Sequence, residues 1–214
     1  MNFNKKAYSA INDLISKEYP KVRLMIVSKN RPVESIRDAL DEGALLFGEN
    51  KVQEADLKFE VLRKEFPNIN LHLIGPLQTN KVKQALKTFD VIQSVDREKL
   101  VKEISKNLSG LTRTKNFYIQ VNIGEESQKN GIDPMNLASF LDNCRQQLNL
   151  DIVGLMCIPP ISGDTNKFFK EMLNLKNQHN LSNLSMGMSS DYIEAINHEA
   201  TFVRIGSKIF GNRD

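Results

Sequence analysis

Eight short β-rich runs, each followed by a longer stretch with helical spacing, recur along the 214 residues of this chain. The runs are Arg23–Val27, Ala44–Phe47, Leu71–Ile74, Val91–Val95, Phe117–Ile123, Ile152–Ile158, Leu184–Met186 and Phe202–Ile205. Short apolar runs bounded by polar residues read as buried strands. Between them, Val33–Asp41 carries Val33, Ile36 and Leu40 on one face, and Lys51–Phe66 carries Val52, Ala55, Phe59, Leu62 and Phe66. Asn80–Thr88, Arg97–Leu108, Pro134–Leu148, Asn166–Asn177 and Asp191–Ile196 continue the alternation, and a further helix, Phe3–Lys17, precedes the first strand. Repeated βα units predict a parallel sheet with helices outside it. Eight of them predict an α/β protein built as a closed (β/α)8, or TIM, barrel. An open doubly wound sheet is the alternative, and it usually carries a glycine-rich fingerprint after its first strand. Here Ser28-Lys29-Asn30-Arg31-Pro32 follows that strand, with no glycine. The expectation is one barrel domain over residues 1–214 with an extra N-terminal helix.

Composition narrows the function classes. The net charge is +3, from 29 basic and 26 acidic residues, which makes no case for nucleic acid. No run of about 18 apolar residues exists, and the N-terminus lacks an apolar core of the signal-peptide kind. Cys144 and Cys157 match no metal or redox spacing, and two unpaired cysteines point to a reducing compartment. A soluble cytoplasmic protein is expected, with no membrane partner and, for want of a long apolar seam, a monomeric state.

A barrel keeps its active site at the C-terminal ends of its strands. Lys29 ends the first run, Leu24-Met25-Ile26-Val27-Ser28-Lys29. A lysine has an ordinary pKa of about 10.4, so only about one in a thousand is a free nucleophile at pH 7. Desolvation or a nearby cation frees the lone pair, as Schiff-base chemistry requires. Barrels often hold phosphate on the loops after strands seven and eight. Those loops are Ser185-Met186-Gly187-Met188-Ser189 and Gly206-Ser207-Lys208-Ile209-Phe210-Gly211. Arg204 is a charge inside the apolar run Phe202-Val203-Arg204-Ile205, and a buried charge needs a partner. Barrel closure sets strands one and eight side by side, so Lys29 and Arg204 become neighbours above a phosphate cup. That combination describes a pocket for a phosphorylated aldehyde, with pyridoxal 5′-phosphate (PLP) the obvious candidate. Taken singly, Lys29 also reads as a solvated strand cap, and the two loops as turns and a helix cap.

Other residues carry weaker signals. His72, His179 and His198 lack metal spacing, and His72 reads best as a core histidine facing the barrel interior. Lys129 and Lys81 are alternative amines, Lys81 at the opening of a helix. Gly124-Glu125-Glu126 and Arg113–Lys115 read as solvated loops.

Longer blocks of sequence sharpen this reading. They include Val27-Ser28-Lys29, Phe47-Gly48-Glu49-Asn50-Lys51-Val52-Gln53-Glu54, and His72-Leu73-Ile74-Gly75-Pro76-Leu77-Gln78-Thr79-Asn80-Lys81. Gln120-Val121-Asn122-Ile123, Gly154-Leu155-Met156, Leu184 to Ser189 with Asp191, Val203 to Ser207, and Ile209 to Arg213 follow in order. With these blocks the chain resembles the YggS/PROSC family of pyridoxal phosphate homeostasis proteins, from about residue 22 to the end. The resemblance implies a PLP-binding barrel of fold type III, like the N-terminal domain of alanine racemase. It implies that Lys29 is the Schiff-base lysine, that Arg204 faces the pyridine nitrogen, that Ser189, Gly206 and Ser207 form the phosphate cup, and that Asn50 lies near the ring. The candidate cofactor site is thus Lys29, Asn50, Ser185, Met188, Ser189, Arg204, Gly206 and Ser207. The chain departs from the family pattern at Asn30 and Ser207, where threonine is common, and at Ala200, where glycine is usual.

An arginine at the pyridine nitrogen gives up no proton, so the ring is a weaker electron sink. Two-base racemisation also needs a base opposite the lysine, which alanine racemase takes from a second domain; this chain ends three residues after Gly211. The expected role is a non-enzymatic PLP binder that buffers or delivers the cofactor, with apo PLP-dependent enzymes as recipients. A racemase-like PLP enzyme and a PLP-free Schiff-base aldolase remain as alternatives.

Overall fold

Near-continuous burial along short parallel strands marks a sheet whose two faces are both covered. The computed structural model describes residues 3–108 and 112–211. Eight strands run in chain order: β1 (Arg23–Val27), β2 (Leu46–Glu49), β3 (Asn70–Leu73), β4 (Val91–Val95), β5 (Asn116–Val121), β6 (Ile152–Cys157), β7 (Asn183–Ser185) and β8 (Phe202–Ile205). Each pairs in parallel with the next, and β8 closes on β1 with Met25 opposite Arg204 and Ile26 opposite Ile205. The (β/α)8 barrel expected from the alternation is the observed architecture.

The connecting helices are α2 (Val33–Asp41), α3 (Val52–Glu65), α4 (Val82–Thr88), α5 (Glu98–Asn107), α6 (Leu137–Asp142), α7 (Thr165–Gln178), α8 (Tyr192–Asn197) and α9 (Ser207–Phe210), preceded by α1 (Lys5–Glu18). Asn4 caps α1 by accepting from the Ala7 N–H at 3.0 Å, and Tyr8, Ile11 and Ile15 turn inward. The Asn4 N–H donates to the Ile209 carbonyl at 2.9 Å, which ties the start of α1 to α9 beside the barrel mouth.

Several boundaries differ from the expectation. β2 lies two residues later than Ala44–Phe47, because its register with β3 runs from Leu46 opposite Asn70 to Glu49 opposite Leu73. A carboxylate at a strand end reads as a stop, yet Glu49 stays in the ladder because the outer face supplies it with partners. β3 and β7 each begin and end one residue earlier than expected, and β5 and β6 end earlier, at Val121 and Cys157. The expected helix Pro134–Leu148 is composite: a 3-10 turn at Pro134–Asn136, α6, then a π-helical segment at Asn143–Gln147. The 3-10 turn Thr79–Lys81 likewise precedes α4. Arg113–Lys115 is not simply solvated, since Thr114 is buried and its hydroxyl donates to the Phe89 carbonyl at 2.8 Å. Cys144 and Cys157 are free and buried.

Two apolar shells follow from the alternation. The larger lies between strands and helices and includes Phe47, Phe59, Ile92, Ile119 and Phe169. The smaller fills the barrel with Met25, Leu46, Val91, Tyr118, Met156 and Phe202. Gly154 lets β6 and β7 approach: a Cβ there would meet the Asn183 carbonyl oxygen at 2.5 Å and the Tyr118 ring at 2.6 Å. Backbone cannot yield as a flexible side chain can. Gly154→Ala is expected to lower folding stability by about 1–3 kcal/mol, measured by urea unfolding against wild type.

Candidate functional site at the barrel mouth

Strand alternation decides what enters the lumen. On β1, Met25 points inward and fully buried Ser28 belongs to the outer face, so Lys29 returns to the inner face just past the strand end. On β8 the same parity places Phe202, Arg204 and Gly206 inside. A cavity of about 350 Å³ results, lined by Val27, Lys29, Asn50, Ile74, Ile158, Met188, Ser189, Ser190, Arg204, Gly206 and Ser207. Seven of the eight residues proposed from sequence therefore share one cavity: Lys29, Asn50, Met188, Ser189, Arg204, Gly206 and Ser207. Its volume lies within the usual range for small-ligand sites.

Ser185 is the exception among the eight. It is fully buried and does not line the cavity; it lies under Arg204. The Arg204 guanidinium donates from Nη1 to the Ser185 carbonyl (2.5 Å) and hydroxyl (2.9 Å), and from Nη2 to the Cys157 carbonyl (2.7 Å). Burial lowers the Arg204 pKa from its ordinary value, and an arginine starts so high that it stays charged. Its hydrogen-bond acceptors among the described residues are neutral oxygens, and the charge that acts on it across space is the Asp191 carboxylate, so the cavity floor presents a guanidinium with no direct ion pair among the described residues.

The hydrogen-bond chain continues down the lumen. The Ser185 hydroxyl donates to Gln93 Oε1 at 2.7 Å, and Gln93 Nε2 meets His72 Nδ1 at 2.8 Å. The amide donates there, so His72 carries its proton on Nε2, which is buried and finds no partner among the described residues. Burial pushes the His72 pKa down to about 3, helped by Arg23. The histidine does face the interior, as expected, but only one of its nitrogens is satisfied. Sequence reading missed Gln93, because a glutamine inside an apolar strand carries no motif.

The mouth is shaped by loops. Gly206 approaches Val27 so closely that a Cβ would sit 3.2 Å from the Val27 carbonyl oxygen. It opens α9, whose first N–H groups have no intrahelical acceptor. The Met188 N–H donates to Asp191 Oδ1 at 2.6 Å, which holds the loop carrying Ser189. Asn50 Oδ1 is buried at the cavity edge without a partner among the described residues. The alternative amines lie elsewhere. Lys129 pairs with Glu126 at 2.5 Å and borders a neighbouring cavity of about 900 Å³, while Lys81 lines a groove beyond Asn50. Glu126 is thus an ion-pair partner and not a merely solvated residue.

Outside the barrel wall, a second polar cluster lies behind Lys29. Lys58 of α3 reaches Glu49 Oε1 at 2.5 Å, Glu54 Oε1 at 2.8 Å and the Ser28 carbonyl at 2.9 Å. The Ser28 hydroxyl donates to Glu49 Oε1 at 2.7 Å, and the Asn30 N–H to Glu54 Oε1 at 2.6 Å. Burial raises the Glu49 pKa and Lys58 and Ser28 oppose it. Burial also acts upward on Glu54, but the hydrogen bonds from Lys58 and Asn30 prevail and its pKa falls below the ordinary value. This cluster was not legible as a site, although Glu54 and Lys58 stand at the helical i, i+4 spacing of an ion pair.

A parallel eight-stranded barrel with a lysine at the mouth of its first strand and an arginine inside its last defines a class, that of alanine racemase N-terminal barrels. The profile of the family described as "alanine racemase, N-terminal domain" matches residues 7–214. A pyridoxal phosphate homeostasis protein of Aquifex aeolicus is 38% identical over 200 residues, covering 89% of this chain and 87% of the relative. The structure of PipY from Synechococcus elongatus superposes with a TM-score of 0.87 at 35% identity, covering 96% of this chain and 99% of PipY. PipY with PLP bound gives 0.84 at 34% identity, covering 96% and 100%. The chain belongs to the family of pyridoxal phosphate homeostasis proteins. Alanine racemase from Corynebacterium glutamicum, at 14% identity and a TM-score of 0.70, shares the barrel, and the match spans 62% of that enzyme.

The buried histidine predicts an acid sensitivity. Folding lowers the His72 pKa, so the unfolded chain binds a proton that the folded chain refuses. The neutral histidine's share of stability is complete above about 6.5 and falls by about 1.4 kcal/mol per pH unit below it, until about 3. His72→Asn keeps an acceptor for Gln93 and cannot titrate. The stability of wild type relative to this variant should therefore fall between pH 7 and pH 5, measured by chemical denaturation; a constant difference would contradict a neutral buried His72.

Proposed function

We propose that this protein binds PLP at the barrel mouth, holds it through Lys29, and serves to buffer or deliver the cofactor. The observation that carries the reading is the convergence of Lys29, Arg204, Asn50, Ser189, Gly206 and Ser207 on one cavity. The residues fit the group. A desolvated guanidinium hydrogen-bonded to neutral oxygens suits an aromatic ring nitrogen that accepts a hydrogen bond, and the buried Asn50 Oδ1, without a partner among the described residues, suits a ligand donor. Relatives carrying the homeostasis name, and the PLP-bound PipY structure, support the same reading.

When bound, PLP supplies an aldehyde for covalent capture and a ring that can accept electrons. The chain's residues define the rest. Lys29 would be the residue that holds the aldehyde carbon covalently through Nζ, its two amine protons leaving with the aldehyde oxygen as water. Ser189 and Ser207 offer hydroxyls, and Gly206 lets the α9 backbone approach, so together they would hold the phosphate. Arg204 would donate to the pyridine nitrogen. Because its outer nitrogens are already committed to Ser185 and Cys157, it is held rigidly and transfers no proton. A ring left unprotonated stabilises a carbanion poorly, which favours storage over amino-acid chemistry. That the relatives are named for homeostasis and not for a reaction agrees with this. Apo PLP-dependent enzymes are the recipients such a carrier implies, in the cytoplasm, with the barrel acting as a monomer. No described helix is long and apolar enough to cross a membrane.

Borohydride reduction of the PLP-loaded protein followed by peptide mass analysis is expected to place the pyridoxyl group on Lys29. Labelling mainly at Lys129 or Lys81 would overturn the assignment. The carrier reading is tested separately. Wild type should show no loss of α-deuterium from a panel of amino acids while passing PLP to an apo-enzyme. Racemisation at about 1 s⁻¹ or faster, the low end of ordinary enzymes, would make it an enzyme instead.

A further inference from the structure

We propose that Lys58, which lies outside the PLP cavity, is a positioning residue for Lys29. Through Glu49 and Glu54 it clamps the backbone on both sides of the reactive lysine, so that covalent capture depends on it and non-covalent binding does not. The inference rests on the PLP reading above and goes beyond it to residues behind the barrel wall.

Lys29 sits just beyond the end of β1, in a short turn. The Arg31 N–H donates to the Ser28 carbonyl at 3.1 Å, and Asn30 adopts a left-handed φ of 58°. A non-glycine residue enters that region at a cost and stays there only when its surroundings hold it. Those surroundings are the Lys58 cluster. On the N-terminal side of Lys29, the Ser28 carbonyl accepts from Lys58 Nζ at 2.9 Å and the Ser28 hydroxyl donates to Glu49 at 2.7 Å. On the C-terminal side, the Asn30 N–H donates to Glu54 at 2.6 Å, and Glu54 is itself held by Lys58 at 2.8 Å. One ammonium therefore organises both flanks. The pair is well shielded, with 9% of the Lys58 side chain and none of the Glu49 side chain exposed. Charge-assisted hydrogen bonds in such a setting are short and directional, and they connect α3 to the turn as one unit. None of these three side chains lines the cavity at Lys29. Their effect on a ligand must pass through the cavity residues they flank, Lys29 just past β1 and Asn50 beside Glu49, and the hydrogen bonds on both sides of Lys29 make Lys29 the principal one.

Two ligands separate the roles. Pyridoxamine 5′-phosphate has the ring and the phosphate of PLP but no aldehyde, so it reports the pocket without the covalent step. The variant pair Lys58→Met with Glu49→Gln removes the ammonium without stranding a buried carboxylate. It is expected to slow covalent capture of PLP at least tenfold, followed by the absorbance change on mixing, and to leave the Kd for pyridoxamine 5′-phosphate within twofold of wild type. Lys58→Arg, with Glu49 retained, should recover most of the rate. If the double variant does not fold, Glu54→Gln decides the matter: it keeps the Lys58–Glu49 pair and loosens the Asn30 flank, and a roughly threefold slowing with unchanged pyridoxamine 5′-phosphate affinity is expected. Equal weakening of both ligands, or no change in capture rate, would overturn the proposal. Absence of any borohydride-trapped Lys29 adduct in wild type would instead overturn the PLP reading beneath it.

Discussion

A guanidinium taken out of water must find hydrogen-bond acceptors or the strand that carries it cannot be buried. Arg204 stands inside the barrel on β8, and its acceptors come from two neighbouring strands, Ser185 on β7 and Cys157 on β6. That single desolvated charge couples three strands at the level where the lumen opens. It also reaches downward, because the Ser185 hydroxyl passes the chain to Gln93 and then to His72. Below this polar layer the lumen is filled by Met25, Leu46, Tyr118 and Phe202. Above it lies the cavity with Lys29. The polar layer is thus both the floor of the site and the ceiling of the inner core.

Strand parity then separates two kinds of polar residue at the same height. Lys29 faces the lumen, where a ligand can reach it. Ser28 and Glu49, one residue out of phase with Lys29 and Asn50, face α3, where Lys58 and Glu54 meet them. The consecutive residues Ser28-Lys29 and Glu49-Asn50 therefore each split between cavity and scaffold. The candidate lysine thus stands just past a strand end while its flanks are held by groups that do not line the cavity. The constraint is the same one that shapes metal sites, where outer partners orient the inner ligands.

Much of this protein was legible before any coordinates. Eight apolar runs with intervening amphipathic stretches specify a parallel sheet covered on both faces, and the missing glycine-rich fingerprint after the first run favours the closed barrel over the open doubly wound sheet. The barrel rule that sites lie at C-terminal strand ends then led to Lys29, Arg204, Ser189, Gly206 and Ser207. What failed was local. The β2 boundary differs because the apolar run Ala44–Phe47 does not show the register with β3, which carries the strand from Leu46 to Glu49. The helix after β5 was read as continuous because propensity does not distinguish α from 3-10 or π turns.

The sequence by itself determined the βα order and which residues stand at the strand ends, because these depend on spacing along the chain, and its longer motif blocks carried the family resemblance. Tertiary structure alone decided that Ser185 supports Arg204 from below, that Gln93 joins Arg204 to His72, and that Lys58 lies behind Lys29. Each of those contacts joins residues on different strands or on a strand and its neighbouring helix. Their distances are set by barrel closure and register, and no one-dimensional pattern encodes which of several buried polar groups will meet once eight strands are rolled into a cylinder.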